Sequence, residues 1–289
     1  DFLLHDFSQK VNSNSLSSDD INFLLLVCKL INVICEQCEY GRDSFLCYDI
    51  HGQIIEMLNN ITTAITESAI SPQTEEILCS LSSSIYAILG NKLYNVDNLD
   101  QQLNEEMVTN LIQLALKLIK ISHNSLRNIA STLNSILINY TNVINVFFQN
   151  KVYLAAIQMM ENPELMDISL ILIGNMSALG EKNAILMLIQ DTTNGETSLF
   201  NEFIKLIQSE YASLALWNMS NLLQTLPDMF LPQINQSLIT YLIDISETSN
   251  FQVKKEASFF LATVIISGPI ELAIKFTESQ TLIDVFSEI

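Results

Sequence analysis

The segment ASLALWNMSNLLQ, at residues 212–224, belongs to a pattern that recurs along the chain. Each copy has a small or apolar residue, then a mostly apolar stretch, and then Asn or another small polar residue. The other copies are LLVCKLINVIC (25–35), CSLSSSIYAILG (79–90), IASTLNSILI (129–138), SLILIGNMSALG (169–180) and ASFFLATVIISG (257–268). When Asn32, Ile85, Ser135, Asn175, Asn221 and Thr263 are aligned, successive copies are 53, 50, 40, 46 and 42 residues apart. Armadillo and HEAT repeats recur at roughly 40–47 residues, so this period predicts a helical solenoid.

Shorter amphipathic segments between these copies are typical of a second packing helix. They are GQIIEMLN (52–59), TNLIQLALKLIKI (109–121), NEFIKLI (201–207) and QSLITYLIDI (236–245). Their apolar residues recur at i, i+3 and i+4, and no segment sustains the alternation of a strand. We therefore predict an all-α, armadillo-type right-handed superhelix of about six to seven repeats.

The predicted superhelix forms a single domain over residues 1–289. The two longest steps between copies predict insertions near residues 59–71 and 91–104. Residues 1–20 are polar in their second half and are expected to form a leading loop or partial repeat before a helix capped near Asp19. The sequence ends directly after an apolar stretch, so we expect a longer protein or a partner that covers this end.

Composition agrees with helices that are buried on more than one side. Hydrophobic residues make up 49% of the chain, whereas Gly (7) and Pro (5), which β-rich folds consume in turns, are scarce. The most apolar run, at 21–35, contains Lys29 and Asn32 and is too short to cross a bilayer, so no membrane association is predicted. The predicted helix boundaries are a start at Ser71-Pro72 and ends at Gly90, Gly180 and Gly268.

The charge balance is strongly acidic and bears on the choice of partner. The 32 acidic residues outnumber the 13 basic ones, which gives a net charge of −19. Direct nucleic-acid binding is disfavoured, because phosphate contacts need a basic surface. The negative field instead favours cationic partners such as Lys/Arg-rich peptides. A plainer interpretation is that acidity keeps an apolar solenoid soluble.

Three motifs stand in consecutive repeats of the second half: GN at 174–175, WNMSN at 217–221 and FQVKKEA at 251–257. Over residues 167–289 the chain resembles the later repeats of the importin-α family. The resemblance implies a concave groove lined by the third helix of each repeat. In that family a Trp, and an Asn four residues later, face an extended peptide, and positions i and i+4 lie above one another on a helix.

The resemblance also implies a role for each groove residue. The Asn amide would pair with the N–H and C=O of the peptide backbone, and the indole would stack on a Lys or Arg side chain through a cation–π contact. The implied peptide-binding residues are Asn32, Asn175, Trp217, Ser220, Asn221, Glu256, Phe259 and Thr263. The implied function is a cytoplasmic or nuclear adaptor for protein import, which binds basic signal peptides and a β-type import carrier.

The sequence departs from the family pattern mainly in its first half. Asn32 keeps the Asn, but Cys28 stands in the Trp position, and the next two repeats keep neither residue. In the last repeat Phe259 and Thr263 replace the Trp and the Asn. The family's basic carrier-binding segment also has no counterpart among residues 1–20, where Lys10 is the basic residue. The alternative function is therefore an armadillo scaffold that docks folded partners and no longer binds signal peptides.

Other chemistry has weaker support in the sequence. Trp217 has a plain alternative as a core residue, and the three Asn residues have one as helix-interior amides bonded to the backbone of an adjacent loop. Cys35, Cys38, Cys47 and His51 include enough zinc ligands, but their helix–loop–helix setting favours a structural role without metal. The histidines are scattered and no phosphate-binding loop occurs, so we predict neither an enzyme nor a cofactor.

Overall fold

The computed structural model describes residues 17–65, 70–90, 104–192 and 199–269. These residues form helices and no strands, which confirms the all-α prediction. The chain divides into two compact units, Asp1–Ile168 and Ser169–Ile289. Each unit is described by itself, and the single-domain assignment stays a prediction.

Among the described residues, eight helices lie within the first unit, and a ninth crosses the boundary between the units. They are α1 (Ser18–Gln37), α2 (Glu39–Cys47), α3 (Ile50–Ala64), α4 (Pro72–Leu89), α5 (Glu105–Leu118), α6 (His123–Asn139), α7 (Ile144–Gln149), α8 (Val152–Met159) and α9 (Met166–Leu179). The second unit continues with α10 (Lys182–Thr192), α11 (Leu199–Leu206), α12 (Ala212–Thr225), α13 (Pro227–Phe230), α14 (Gln236–Thr248) and α15 (Phe251–Ser267).

The helices of the first unit pack in two layers. One layer is formed by α1, α4 and α6, each packed against the next, and the other contains α3 and α5. Helix α3 also packs on α4, and α5 on α6, so each pair buries its apolar faces together. In the second unit α12 packs on α15, with α11 against α12 and α14 against α15. The copies at 25–35, 79–90 and 129–138 thus lie in helices that stack on one another within the first unit, and the copies at 212–224 and 257–268 lie in helices that stack within the second.

Polar side chains link successive stacked helices of the first unit. The Ser84 hydroxyl on α4 donates to the carbonyl oxygen of Cys28 on α1, at 3.4 Å. The Asn128 amide on α6 donates to Ser82 Oγ at 3.1 Å and to the carbonyl oxygen of Cys79 at 3.5 Å, both on α4. Buried polar groups need such partners, so these bonds fix the register between apolar surfaces that carry no directional preference.

The helix ends follow capping chemistry that the sequence contains. Helix α1 begins after Ser17, which forms a capping box with Asp20, so the cap lies two residues before the predicted Asp19. Ser71 caps α4 with Pro72 at its first position, which confirms that predicted start. The three predicted helix ends are also confirmed, because Gly90, Gly180 and Gly268 directly follow α4, α9 and α15.

The structure differs from the sequence prediction at the first insertion. Helix α3 continues to Ala64, so residues 59–64 are helical rather than part of an insertion at 59–71. Thr62 is buried there, and its hydroxyl donates to the carbonyl oxygen of Leu58 at 2.8 Å, which retains a polar residue inside the helix. Most of the second insertion, residues 91–103, lies outside the described residues, and Asn104 is the N-cap of α5.

Five helices are additions to the predicted set: α2, α7, α8, α10 and α13. Helix α2 is short and begins at Glu39 after Cys38, whose sulfur accepts from the Gly41 amide at 3.3 Å. Helix α10 buries Ile185, Leu188 and Ile189 along one face. None of the helices in the described part of the chain is long and apolar enough to span a membrane.

Replacing Ser122 by Ala is expected to lower the free energy of unfolding by about 1–2 kcal/mol. Ser122 is buried at the start of α6, where Oγ accepts from the Ser125 amide at 3.1 Å and donates to Glu75 Oε1 at 2.8 Å. The matched control is Ser71→Ala, because Ser71 is an exposed N-cap and that change leaves no buried carboxylate oxygen unpaired. Urea denaturation would measure both, and equal losses would contradict the role assigned to the Glu75 contact.

Candidate functional site

The sequence-predicted groove residues are distributed over four helices. Asn175 lies on α9, the WNMSN motif lies on α12, and Glu256, Phe259 and Thr263 lie on α15. These belong to the second unit, in which α12 packs against α15. Asn32 lies on α1 in the first unit and is described separately.

Trp217 lies across the backbone of Gly174. A Cβ atom placed on Gly174 would be 2.1 Å from Cζ3 of the indole, so no residue other than Gly fits beneath the ring in this arrangement. The indole is half-buried, which leaves part of it accessible. Trp217 is therefore a fixed aromatic surface on α12, held against α9 by close approach to a glycine.

Asn221, one turn after Trp217, bonds the same glycine. Its Nδ2 donates to the carbonyl oxygen of Gly174 at 3.1 Å, and the side chain is 9% exposed. The alternative interpretation, in which Asn221 is a helix-interior residue that bonds nearby backbone, fits this hydrogen bond. The acceptor, however, lies in a helix and not in a loop. One amide hydrogen of Asn221 therefore helps to position α12 against α9.

Asn218 makes a parallel contact that the sequence analysis did not single out. The residue is fully buried, and its Nδ2 donates to the carbonyl oxygens of Leu170 at 2.9 Å and Leu214 at 2.8 Å. Its Oδ1 is buried and has no hydrogen-bond partner in the structure. Asn218 and Asn221 stand one turn apart on α12, as their acceptors Leu170 and Gly174 do on α9. A second Asn one turn before Asn221 was therefore the sequence signal that could have pointed to this contact.

Ser220 and Thr263 lie in the core rather than on a surface that a ligand can reach. Ser220 is fully buried, and its hydroxyl donates to the carbonyl oxygen of Leu216 at 3.0 Å. Thr263 is 4% exposed, and its hydroxyl donates to the carbonyl oxygen of Phe259 at 2.9 Å. Both use the common i to i−4 bond that retains Ser and Thr inside helices. Both predicted contact residues are thus buried, and both hydroxyls bond within their own helices.

Phe259 and Glu256 share the accessible side of α15. Phe259 is 48% exposed, so its ring is available to a partner. The Glu256 carboxylate lies 2.9 Å from Nζ of Lys255, and its side chain is 13% exposed. Its negative charge is thus already balanced by a neighbour, which lowers its value for attracting a cationic ligand.

The two remaining predicted residues are both half-buried Asn residues. Asn175 follows Gly174 on α9, next to the contact with Trp217. Asn32 donates from Nδ2 to Ser83 Oγ on α4 at 3.1 Å, while its Oδ1 is buried without a partner. Asn32 therefore helps to connect α1 to α4, in the manner of Asn128 between α4 and α6.

The cysteine cluster of the first unit has the properties of structural thiols. Burial raises the pKa of Cys28 and of Cys35 to about 11, so both are protonated at neutral pH. Cys38 caps α2, and Cys47 is exposed at its other end. In the described part of the chain no three His, Cys, Asp or Glu side chains are placed to hold a metal ion together.

Comparison with known proteins gives a likeness of fold alone. No family model matches the sequence, and no curated protein matches it. Among solved structures, one engineered protein from the Northeast Structural Genomics Consortium aligns with 91% of this chain and 98% of its own, at 15% identity and a TM-score of 0.57. A second engineered protein from that consortium aligns with 96% of this chain and 71% of its own, at 16% identity and a TM-score of 0.50.

Replacing Gly174 by Ala is expected to destabilise the protein by about 1–3 kcal/mol, because the added methyl group collides with the Trp217 ring. In a Trp217→Ala background the collision is gone. The same change should then be neutral or stabilise by up to about 1 kcal/mol, since Ala is preferred over Gly inside a helix. A double-mutant cycle by chemical denaturation measures this reversal, and an equal loss in both backgrounds would contradict the contact.

Proposed function

We propose that this chain is an armadillo-type solenoid, similar to importin-α, that binds an extended basic peptide at a site centred on Trp217. The peptide would be of the nuclear-localisation type. The proposed setting is the cytoplasm or nucleus, where such an adaptor would hand its cargo to a β-type import carrier. Helices α9 and α12 support the proposal, because they meet at Gly174 and carry the GN and WNMSN motifs at matching positions of the repeat.

The accessible, immobilised indole of Trp217 is the observation that carries this proposal. A rigid aromatic surface loses little conformational entropy on binding, and a Lys or Arg side chain stacked on it gains about 0.5–2 kcal/mol from the cation–π contact. Phe259, exposed on the adjacent helix α15, adds a second apolar surface. The net charge of −19 supplies long-range attraction for a basic segment.

The proposed site differs in its polar groups from the full family pattern. One amide hydrogen of Asn221 is used on Gly174, and Glu256 is paired with Lys255. Hydrogen bonds to the peptide backbone would therefore come from the second amide hydrogen and the Oδ1 atom of Asn221, with Asn175 beside it. Selection for Lys or Arg would rest on the indole more than on a carboxylate.

The double substitution Trp217→Ala/Asn221→Ala is expected to weaken binding of a lysine-rich peptide at least tenfold, because it removes the stacking surface and the backbone contact together. Fluorescence anisotropy with a labelled peptide would measure the dissociation constant. Tyr86→Ala is the control, since Tyr86 is also an exposed aromatic on a helix but lies in the first unit. Unchanged affinity in a folded double mutant would exclude the site.

A second candidate function is supported by the outer face of α1. Leu26, Leu30 and Val33 are 55–61% exposed and follow one another at steps of four and three residues. On a helix this spacing forms one apolar seam, which lies opposite the face that α1 packs on α4 through Cys28 and Asn32. The seam suits an amphipathic helix of a partner protein, as expected for a scaffold that docks partners.

Salt concentration separates the two candidates. Peptide binding at Trp217 should weaken several-fold between about 0.05 and 0.3 M NaCl, because exposed charges are screened, whereas apolar docking on α1 should change little. Leu26→Asp/Leu30→Asp should abolish helix docking and leave peptide affinity within about twofold. Partner binding that survives this double substitution would argue against the α1 seam.

A further inference from the structure

The helices that meet at Trp217 are almost uncharged, although the whole chain carries a net charge of −19. Helix α12 contains no charged residue, and neither does the part of α9 from residue 169 onward. The acidic residues nearest in sequence to Gly174 are Asp167 and Glu181, and the one nearest to Trp217 is Glu210. Each lies seven residues away, which along a helix corresponds to about 10 Å. The indole therefore has no carboxylate beside it on either helix.

Helix α15, which packs on α12, adds more positive than negative charge. Its charged residues are Lys254, Lys255 and Glu256. The Glu256 carboxylate lies 2.9 Å from Nζ of Lys255, and its side chain is 13% exposed, so it already has a cationic partner. Among the described residues of α9, α12 and α15 in the second unit, no carboxylate is thus left unpaired for the head of a bound side chain.

An ammonium group is poorly suited to such a surface. Lysine carries three N–H donors and is strongly hydrated, so each donor that loses its water on the ring needs an acceptor in its place. A donor left without an acceptor opposes binding, and this cost offsets the gain from the cation–π contact.

A quaternary ammonium group avoids this cost. Its nitrogen bears methyl groups and no N–H, so it needs no acceptor, while its charge still attracts the π face of the indole. The methyl groups also remove apolar surface from water against the ring. In a polypeptide, Nε-trimethyllysine is the side chain that presents such a group.

We propose that the Trp217 surface selects a peptide that carries Nε-trimethyllysine over the same peptide with unmodified lysine. This inference rests on the proposed peptide site and specifies its ligand. The trimethylammonium group lies on the accessible part of the indole, which packs against Gly174 on its other side. The rest of the Asn221 amide holds the peptide backbone.

The fluorescence of Trp217 measures this selectivity directly, because it is the single tryptophan of the chain. The probes are three peptides, acetyl-Gly-Ser-X-Ser-Gly amide, in which X is lysine, Nε-trimethyllysine or norleucine. The trimethyllysine peptide should bind at least about threefold more tightly than the lysine peptide. The norleucine peptide, which lacks the charge, should bind more weakly than the trimethyllysine peptide.

The inference is overturned if the lysine peptide binds as tightly as the trimethyllysine peptide, if the norleucine peptide does so, or if none of the three binds. The labelled lysine-rich peptide separates these results from a failure of the peptide site. If that peptide binds in a Trp217-dependent manner, the site stands and the selectivity alone is wrong. If it does not, the site is excluded, and this inference with it.

Asn175→Asp supplies a second test, because it places a carboxylate next to Gly174 on the helix that supports the ring. The new carboxylate accepts the ammonium donors, so the lysine peptide should gain affinity and the preference for trimethyllysine should fall below about twofold. Gln224→Glu is the matched control, since it adds the same charge at an exposed position of α12, seven residues from Trp217. It should strengthen both peptides alike, and equal effects of the two substitutions on the preference would overturn the inference.

Discussion

Within each unit, polar side chains of one stacked helix bond backbone carbonyl oxygens of a neighbouring helix, and this contact sets how closely and in which register those helices meet. Ser84 reaches Cys28, Asn128 reaches Cys79, and Asn221 reaches Gly174. A carbonyl that already accepts a helical hydrogen bond has a second lone pair, so these bonds cost the helix nothing. They do require close approach, which explains why small residues stand at the contact points.

Close approach at Gly174 has the largest effect, because it places both a structural amide and the candidate functional indole. Asn221 fixes the distance between α12 and α9, and Trp217 fills the space that this distance leaves. The residues that suggest peptide binding in the sequence are therefore also stacking residues. Packing accounts for Ser220, Thr263 and one amide hydrogen of Asn221, whereas the rest of the Asn221 amide, the accessible part of Trp217 and the ring of Phe259 are left for a ligand.

The stacked helices could be predicted from the sequence because their apolar period and caps are local signals. The faces of individual polar residues could not. Trp217 and Asn218 are adjacent in sequence, and a single residue rotates the side chain by about 100° around a helix, which leaves Trp217 partly accessible and buries Asn218. Helix α10 was missed because residues 185–189 are an unbroken apolar run, in which the spacing of the buried positions does not stand out. Asn218 was missed because its role depends on the carbonyl of Leu170, far away in sequence.

The buried thiols of the first unit give this protein an internal reporter of its own opening. Cys28 faces α4 and is almost wholly buried, with a pKa of about 11, whereas Cys38 and Cys47 are exposed at the two ends of α2. Alkylating reagents attack the thiolate, so at neutral pH modification should be fast at α2 and slow at Cys28. The modification rate at Cys28 is then set by how often α1 separates from α4. Measuring that rate therefore gives the free energy of opening between these two helices.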